Sequence, residues 1–211
     1  MTRRRALLLL PVVLAGAGGC DELRRPSVAW PVPPGLVPPE QDAGRAAVNA
    51  MAQDMLGASD GIKDAPARIA RAAGLMEWMA VELAAPRWSP VPADARNGIS
   101  LARDEMRGAL GADPLADAPR LSAALAAAYR ALVRGDRAAA AAALPRGLFP
   151  RGGEATLQRL ADPGPLPQGE ISATYLAERV RALDDGNGWG TDFDMPVPPD
   201  RGGRGPIPFG L

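Results

Sequence analysis

The feature that most constrains the fold is a repeat of small apolar residues, three and four positions apart, that runs through residues 41–183. Ile69, Ala73 and Met76 show the pattern, which places them on one face of a helix. No stretch alternates apolar and polar residues strongly enough to predict a strand. The sequence therefore predicts an all-α fold, a small Ala-rich helical bundle of about five or six helices.

Pro, Gly and capping Asp residues set the expected helix boundaries. The helix that starts near Pro66 has the widest apolar stripe, so we expect it to lie at the centre of the bundle. Because Ala buries little surface, the core should be modest. The predicted helices are 41–56, 66–85, 93–110, 119–134 and 171–183, with two short helical segments at 138–143 and 154–160.

Both ends of the chain are rich in Pro or Gly. We predict a semi-rigid tether over residues 20–40, because closely spaced prolines favour polyproline II; docking of its PxxP spacing into an aromatic groove is the alternative. Residues 184–211 should form an extended tail, ordered only where it lies on the bundle. The tail repeats the tetrapeptide PVPP of residues 31–34 at 196–199, which in a chain with 23 prolines favours coincidence.

The first twenty residues carry an export pattern. Three arginines at 3–5 precede an apolar stretch over 6–15, which is too short to span a bilayer. Small residues at 16–19 lead directly into Cys20, the only cysteine in the chain. This order of charge, apolar run and small residues predicts a cleavable signal over residues 1–19.

The stretch resembles the signal of bacterial lipoproteins, in which small residues precede a lipidated cysteine. The resemblance implies that Cys20 receives a diacylglycerol thioether, becomes the first residue after cleavage and is N-acylated. Ala17 stands where Leu is usual. Two or three acyl chains, at ~0.8 kcal/mol per buried CH₂, would hold the domain on a membrane. An ordinary secreted protein is the alternative.

Two further details concern export and location. The arginine run resembles a twin-arginine signal, although a plain basic region is the favoured interpretation. Asp21 resembles the residue that retains enteric lipoproteins in the inner membrane. We therefore expect a lipid-anchored protein on the periplasmic face of the cell membrane, with the inner membrane favoured and the outer membrane open.

Composition excludes several kinds of chemistry. The chain has no histidine and a single cysteine, so imidazole or thiolate metal sites and Ser–His or Cys–His catalysis are excluded. Acidic and basic residues balance at 24 each, which gives no basic surface for nucleic acid. We expect no cofactor and no metal. A cluster of oxygen ligands fails the spacing of a calcium loop, which makes it a polar turn: Asp185, Asn187, Asp192 and Asp194.

Trp78 is the residue that fits its surroundings least. It lies opposite Ile69 on the predicted helix, among charged residues, and Trp88 follows shortly after. Such a ring either packs under another segment of the chain, which is favoured, or marks a partner contact. Trp78 and Trp88 are therefore possible contacts for a protein partner.

Carboxylates are the remaining candidates for catalysis. A glycosidase needs only two suitably spaced acids, and Glu77 and Glu82 share a polar face, as Asp104 and Glu105 partly do. A solvated helix face laced with Arg is the commoner meaning of such a pattern, and no catalytic residue is assigned.

Taken together, these patterns predict a non-catalytic accessory or scaffold lipoprotein that acts through protein contacts, with an unidentified envelope partner. Enzymatic activity stays open but is disfavoured. A carboxylate-dependent hydrolase of the envelope, acting on peptidoglycan, is the alternative, which acids facing each other across a cleft would favour. A ligand binder with a pocket between helices is a third class, for which the sequence shows no convergent polar set.

Overall fold

The computed structural model describes residues 30–189, and this part of the chain is all-α with no strand. Seven helices form a bundle, so the expected fold class is confirmed and the expected count of five or six is one or two short. The two short predicted segments, 138–143 and 154–160, both form helices. The Asp136 side chain accepts the Ala139 N–H at 2.9 Å and so caps the first of them. The helices are α1 (Ala43–Met55), α2 (Pro66–Glu82), α3 (Ala93–Leu110), α4 (Ala118–Val133), α5 (Arg137–Ala142), α6 (Gly153–Ala161) and α7 (Pro167–Asp185).

Helix α2 lies at the centre, as its wide apolar stripe predicted. It packs against α1, α3, α4 and α6, and its most extensive interface is with α4. Leu75, Met76 and Met79 are completely buried. The two antiparallel outer helices α1 and α7 close one side of the bundle, and Arg45 near the start of α1 binds Asp184 near the end of α7.

Helix α7 begins earlier than its apolar pattern predicted. Pro167 occupies its first position, and Gln168 and Gly169 donate their backbone N–H groups to the carboxylate of Glu105 on α3, at 3.2 and 2.7 Å. A carboxylate therefore caps this helix from a neighbouring helix. The sequence pattern of α7 alone contains no trace of that cap.

The tether boundary predicted at residue 40 needs correction. Residues 30–37 pack on the bundle, and Leu36 is 1% exposed. Its side chain fills the space beside Gly74 of α2, where a Cβ would lie 3.2 Å from Leu36 Cδ1. Residues 20–29 of the predicted tether lie outside the described residues.

The expectation of a solvated polar face on α2 is wrong. Glu77 and Glu82 are 2% and 4% exposed, and Asp54 on α1 is 4% exposed. Each buried carboxylate pairs with an arginine, which meets the large cost of burying a lone charge. The partners are Arg107 for Glu77, Arg87 for Glu82 and Arg71 for Asp54.

In residues 30–189, no helix combines the length and the apolar character that a membrane crossing requires.

Candidate functional site

The four tryptophans of the chain lie along one side of α2, and we call this set the tryptophan stripe: Trp30, Trp78, Trp88 and Trp189. Trp78 and Glu82 are four residues apart and so share a face of α2. Trp30 contacts Trp78, Trp88 contacts Glu82, and Trp189 packs on Trp88. The stripe therefore brings both ends of the described chain onto the central helix.

Trp78 packs under the Pro-rich segment, which is the favoured of its two predicted roles. Its ring is 3% exposed, and its Nε1 donates a hydrogen bond to the carbonyl oxygen of Trp30 at 2.8 Å. Contact with a protein partner would require residues 30–36 to leave, and that role stays a prediction.

Trp88 is also covered by the chain itself. It is 2% exposed, and its Nε1 donates to Glu82 Oε1 at 3.0 Å. The ring lies so close to Gly44 of α1 that an added Cβ would come within 2.4 Å of its Cζ2 atom. Trp189 covers the other side, with ring centroids 5.7 Å apart and planes at 74°. A partner role for Trp88 likewise stays a prediction.

Two charged side chains contact Trp189 and fix its position. Arg45 lies 4.8 Å from the centroid of its ring and binds Asp184 through Nε at 3.0 Å and Nη2 at 2.7 Å. Trp189 Nε1 donates to the same carboxylate at 2.7 Å. The hydrogen bond from Arg45 holds the pKa of Asp184 below its ordinary value. The cavity left between these groups is about 60 Å³, far below the volume that a small-molecule ligand needs.

A second site lies beside α3, where a groove of about 500 Å³ is lined partly by Arg103, Asp104 and Arg107. Glu77 lies behind Arg107 and accepts hydrogen bonds from its Nε at 2.6 Å and Nη2 at 2.5 Å. Burial raises the pKa of Glu77, against the opposing effect of Arg107. Arg107 also donates to the Pro114 carbonyl at 2.8 Å, which ties down the loop after α3.

This second site lacks what carboxylate-dependent hydrolysis needs. Such an enzyme requires one acid free to give a proton and one ionised carboxylate, facing each other across the substrate. Both oxygens of Glu77 are bound by Arg107, and Asp104 accepts from the adjacent Arg103 at 2.8 Å. The arrangement is a buried ion pair beside an exposed one, which stabilises α3 on α2.

A third groove, of about 610 Å³, follows α7 and contains Glu170, Tyr175 and Glu178. Glu170 accepts the backbone N–H groups of Gly57 at 2.7 Å and Ser59 at 2.8 Å, and the hydrogen bonds from Ser59 lower its pKa. Tyr175 donates its hydroxyl to Asp94 at 3.0 Å, which raises the pKa of that hydroxyl. Glu170 and Tyr175 therefore already serve to hold loops and helices together.

Metal chemistry has no site within residues 30–189, since no group of three or more acidic or cysteine side chains there is placed to hold an ion. The rejected calcium loop is only partly described: Asp185 ends α7 and Asn187 follows it with a φ of +52°. Asp192 and Asp194 lie outside the described residues, as does Cys20.

No family model, curated protein or solved structure matches this chain.

Reasoning from the sequence missed the roles of Trp30, Trp189 and Arg130. Arg130 on α4 donates its Nη1 hydrogen to the carbonyl oxygen of Pro34, so that the segment is held at both ends. A usable signal did exist: aromatics make up only 4% of the chain, yet a tryptophan stands at each border between the bundle and its Pro-rich ends. Such rings have little to contact except the bundle.

Proposed function

We propose that this protein is a lipid-anchored lipoprotein facing the periplasm, whose helical domain acts without catalysis as an accessory or scaffold protein through protein contacts. The anchor is Cys20, by the resemblance of residues 1–20 to a lipoprotein signal. The observation that carries the proposal is that the chain is bound to α2 and α4 from ten residues after this segment, through Trp30 and Pro34.

This fastening bears on how far the domain can stand from a membrane. Ten peptide units separate Cys20 from Trp30. At 3.3–3.6 Å per residue they span at most roughly 36 Å, against roughly 80 Å if the chain were free up to Asp42. A domain held this close is suited to a partner that lies at or near the membrane surface, whichever membrane that is.

The described polar groups favour a non-catalytic role. Glu170 binds backbone N–H groups, and Glu77 and Asp104 bind arginines. Glu178 is exposed, so none of these four carboxylates combines burial with a free oxygen facing a groove. An accessory protein needs surface and position rather than a reactive group.

The first test is fractionation of cells that produce the chain with Cys20→Ala. We expect the unchanged protein in the membrane fraction and labelled by a fatty-acid probe, and the variant unlabelled and released in soluble form. Asp185→Ala, at an exposed position of α7, serves as the matched control and should stay on the membrane. A Cys20→Ala protein that remained with the membrane would overturn the anchor.

The second test addresses the partner. Cross-linking of the intact protein in native envelopes, followed by affinity capture and mass spectrometry, should recover one protein near stoichiometry. Recovery of none, under conditions that capture a known lipoprotein complex, would contradict the scaffold role. Cleavage of purified peptidoglycan that is lost in Asp104→Asn would replace it with the hydrolase alternative.

A further inference from the structure

Residues 30–34 bind the bundle in the way that proline-rich peptides bind their receptors. Trp78 donates its indole N–H to the Trp30 carbonyl at 2.8 Å, and Arg130 donates to the Pro34 carbonyl. Proline has no N–H and fixes φ, so a segment of this kind leaves its carbonyls free for outside donors. We call the surface between these two donors, on α2 and α4, the Trp78–Arg130 groove.

The groove makes its polar contacts with backbone atoms. Val32 is partly buried and Pro33 is buried against the bundle, while both hydrogen bonds end on main-chain oxygens. A different segment with prolines and valine at the same spacing would therefore offer the same acceptors and a similar apolar surface. The groove therefore recognises the backbone conformation of the segment more than the identity of the side chains around it.

The tail contains such a segment. Residues 196–199 have the same sequence as residues 31–34, and Met195 stands in the position of Trp30. The carbonyls of Met195 and Pro199 correspond to the two that the groove binds.

The two segments differ immediately afterwards. Gly35 has a φ of +88° and lies under Arg130, and Leu36 is buried beside Gly74. Asp200 and Arg201 stand at the equivalent tail positions, where neither this backbone conformation nor a buried apolar side chain is favoured. The N-terminal segment is therefore the stronger of the two ligands.

The tail also starts from a residue that is connected to α2 through Trp88. Trp189 packs on Trp88, which binds Glu82, and Glu82 lies one helical turn from Trp78 on the same face of α2. One turn is about 5.4 Å along the axis. The six residues 190–195 can span about 20 Å, several times the length of that turn.

We propose that residues 195–199 are a second ligand of the Trp78–Arg130 groove and exchange there with residues 30–34 of the same chain. Binding of the tail releases the N-terminal segment. If the chain is anchored at Cys20, which rests on the proposed function, this release lengthens the link between membrane and bundle from ten peptide units to about twenty-two. The exchange itself does not depend on the anchor.

The test uses ¹⁵N-labelled chain 20–211 with Cys20→Ser, which contains all of the described residues, and a nitroxide attached at Asp200→Cys. The signal of the Trp78 indole N–H reports how near the label comes. Val32→Asp weakens the N-terminal ligand without altering the groove, and a circular dichroism spectrum checks that the bundle stays helical; Val32→Thr replaces it if the helical signal falls.

We expect Val32→Asp to lower the intensity of the Trp78 indole signal at least about twofold relative to the reduced label, because the tail then occupies the groove. Adding Val197→Asp should restore the signal. An unchanged signal in both Val32 variants would overturn the proposal. A loss that weakens on tenfold dilution would place the tail of a second copy in the groove and equally overturn exchange within one chain.

Discussion

Two ion pairs of the same chemistry lie in opposite surroundings. Glu77 and Arg107 face each other at 2.5 Å with side chains 3% and 10% exposed, whereas Glu154 and Arg137 meet at 2.9 Å with side chains 64% and 59% exposed. Both are carboxylate–guanidinium pairs joining two helices. Burial alone decides how much each matters, because water screens the outer pair and leaves its partners solvated when one is removed.

The difference explains why the sequence of α2 predicted a solvated polar face. In sequence, a carboxylate on a helix looks the same whether it faces water or another helix. The inner pair fixes α3 and the loop at Pro114 to α2, while the outer pair adds little to the contact between α5 and α6. The following predictions test this contrast.

Glu77→Gln should have the largest effect, a loss of about 3–5 kcal/mol in the free energy of unfolding, because it leaves the Arg107 charge buried without its counter-ion. Chemical denaturation of the Cys20→Ser chain measures it. Glu154→Gln is the matched control and should change stability by less than about 0.5 kcal/mol.

Two results would weaken the contrast. Equal losses in Glu77→Gln and Glu154→Gln would mean that burial does not separate the pairs. The double replacement Glu77→Met with Arg107→Met should recover most of the loss, since a buried pair is often replaceable by apolar side chains of similar volume. Failure to recover would show that Arg107 acts mainly through Pro114.

Gly153→Ala should have the next largest effect, a loss of about 1–3 kcal/mol from overpacking. It lies beside the outer pair, yet an added Cβ would come within 1.9 Å of the Ala141 carbonyl oxygen. Gly108 lies on α3, and a Cβ added there would have no neighbour within 4 Å. Gly108→Ala should therefore raise the free energy of unfolding by about 0.4–1 kcal/mol. Thermal unfolding of both variants shows whether α5 and α6 depend on close backbone contact rather than on charge.

The smallest effect concerns pH. The hydrogen bonds from Ser59 lower the pKa of Glu170 below its ordinary value of 4.5, so its contribution is complete above that pH and is lost as the pH falls through the folded-state pKa.

Glu170→Gln should therefore lower the Tm at about pH 7, and the gap to the unchanged protein should narrow at an acid pH below the folded-state pKa of Glu170, where both lack that charge. Differential scanning calorimetry at the two pH values measures this. Parallel Tm curves for the two proteins would contradict the role of Glu170 as an ionised cap for the Gly57–Ser59 backbone.

How much could be predicted from sequence differs between the fold and the site. The helix α3 has the boundaries that its period and Gly111 predicted, because local propensity and a left-handed C-terminal glycine act within one segment. The start of α7 was missed, because Glu105 caps it from another helix. The favoured position of Trp78, under the Pro-rich segment, was inferred from its place opposite the apolar stripe.

By itself the sequence determined the all-α class, the central position of α2 and the exclusion of histidine and thiolate chemistry, since each follows from periodicity or from which side chains exist. Only the tertiary structure decided that Glu77 and Glu82 are buried, that residues 30–36 belong to the bundle, and that Trp30 binds Trp78 while Trp189 packs on Trp88. The physical reason is that burial depends on which distant segment covers a helix face, and a periodic pattern records only how many faces are apolar.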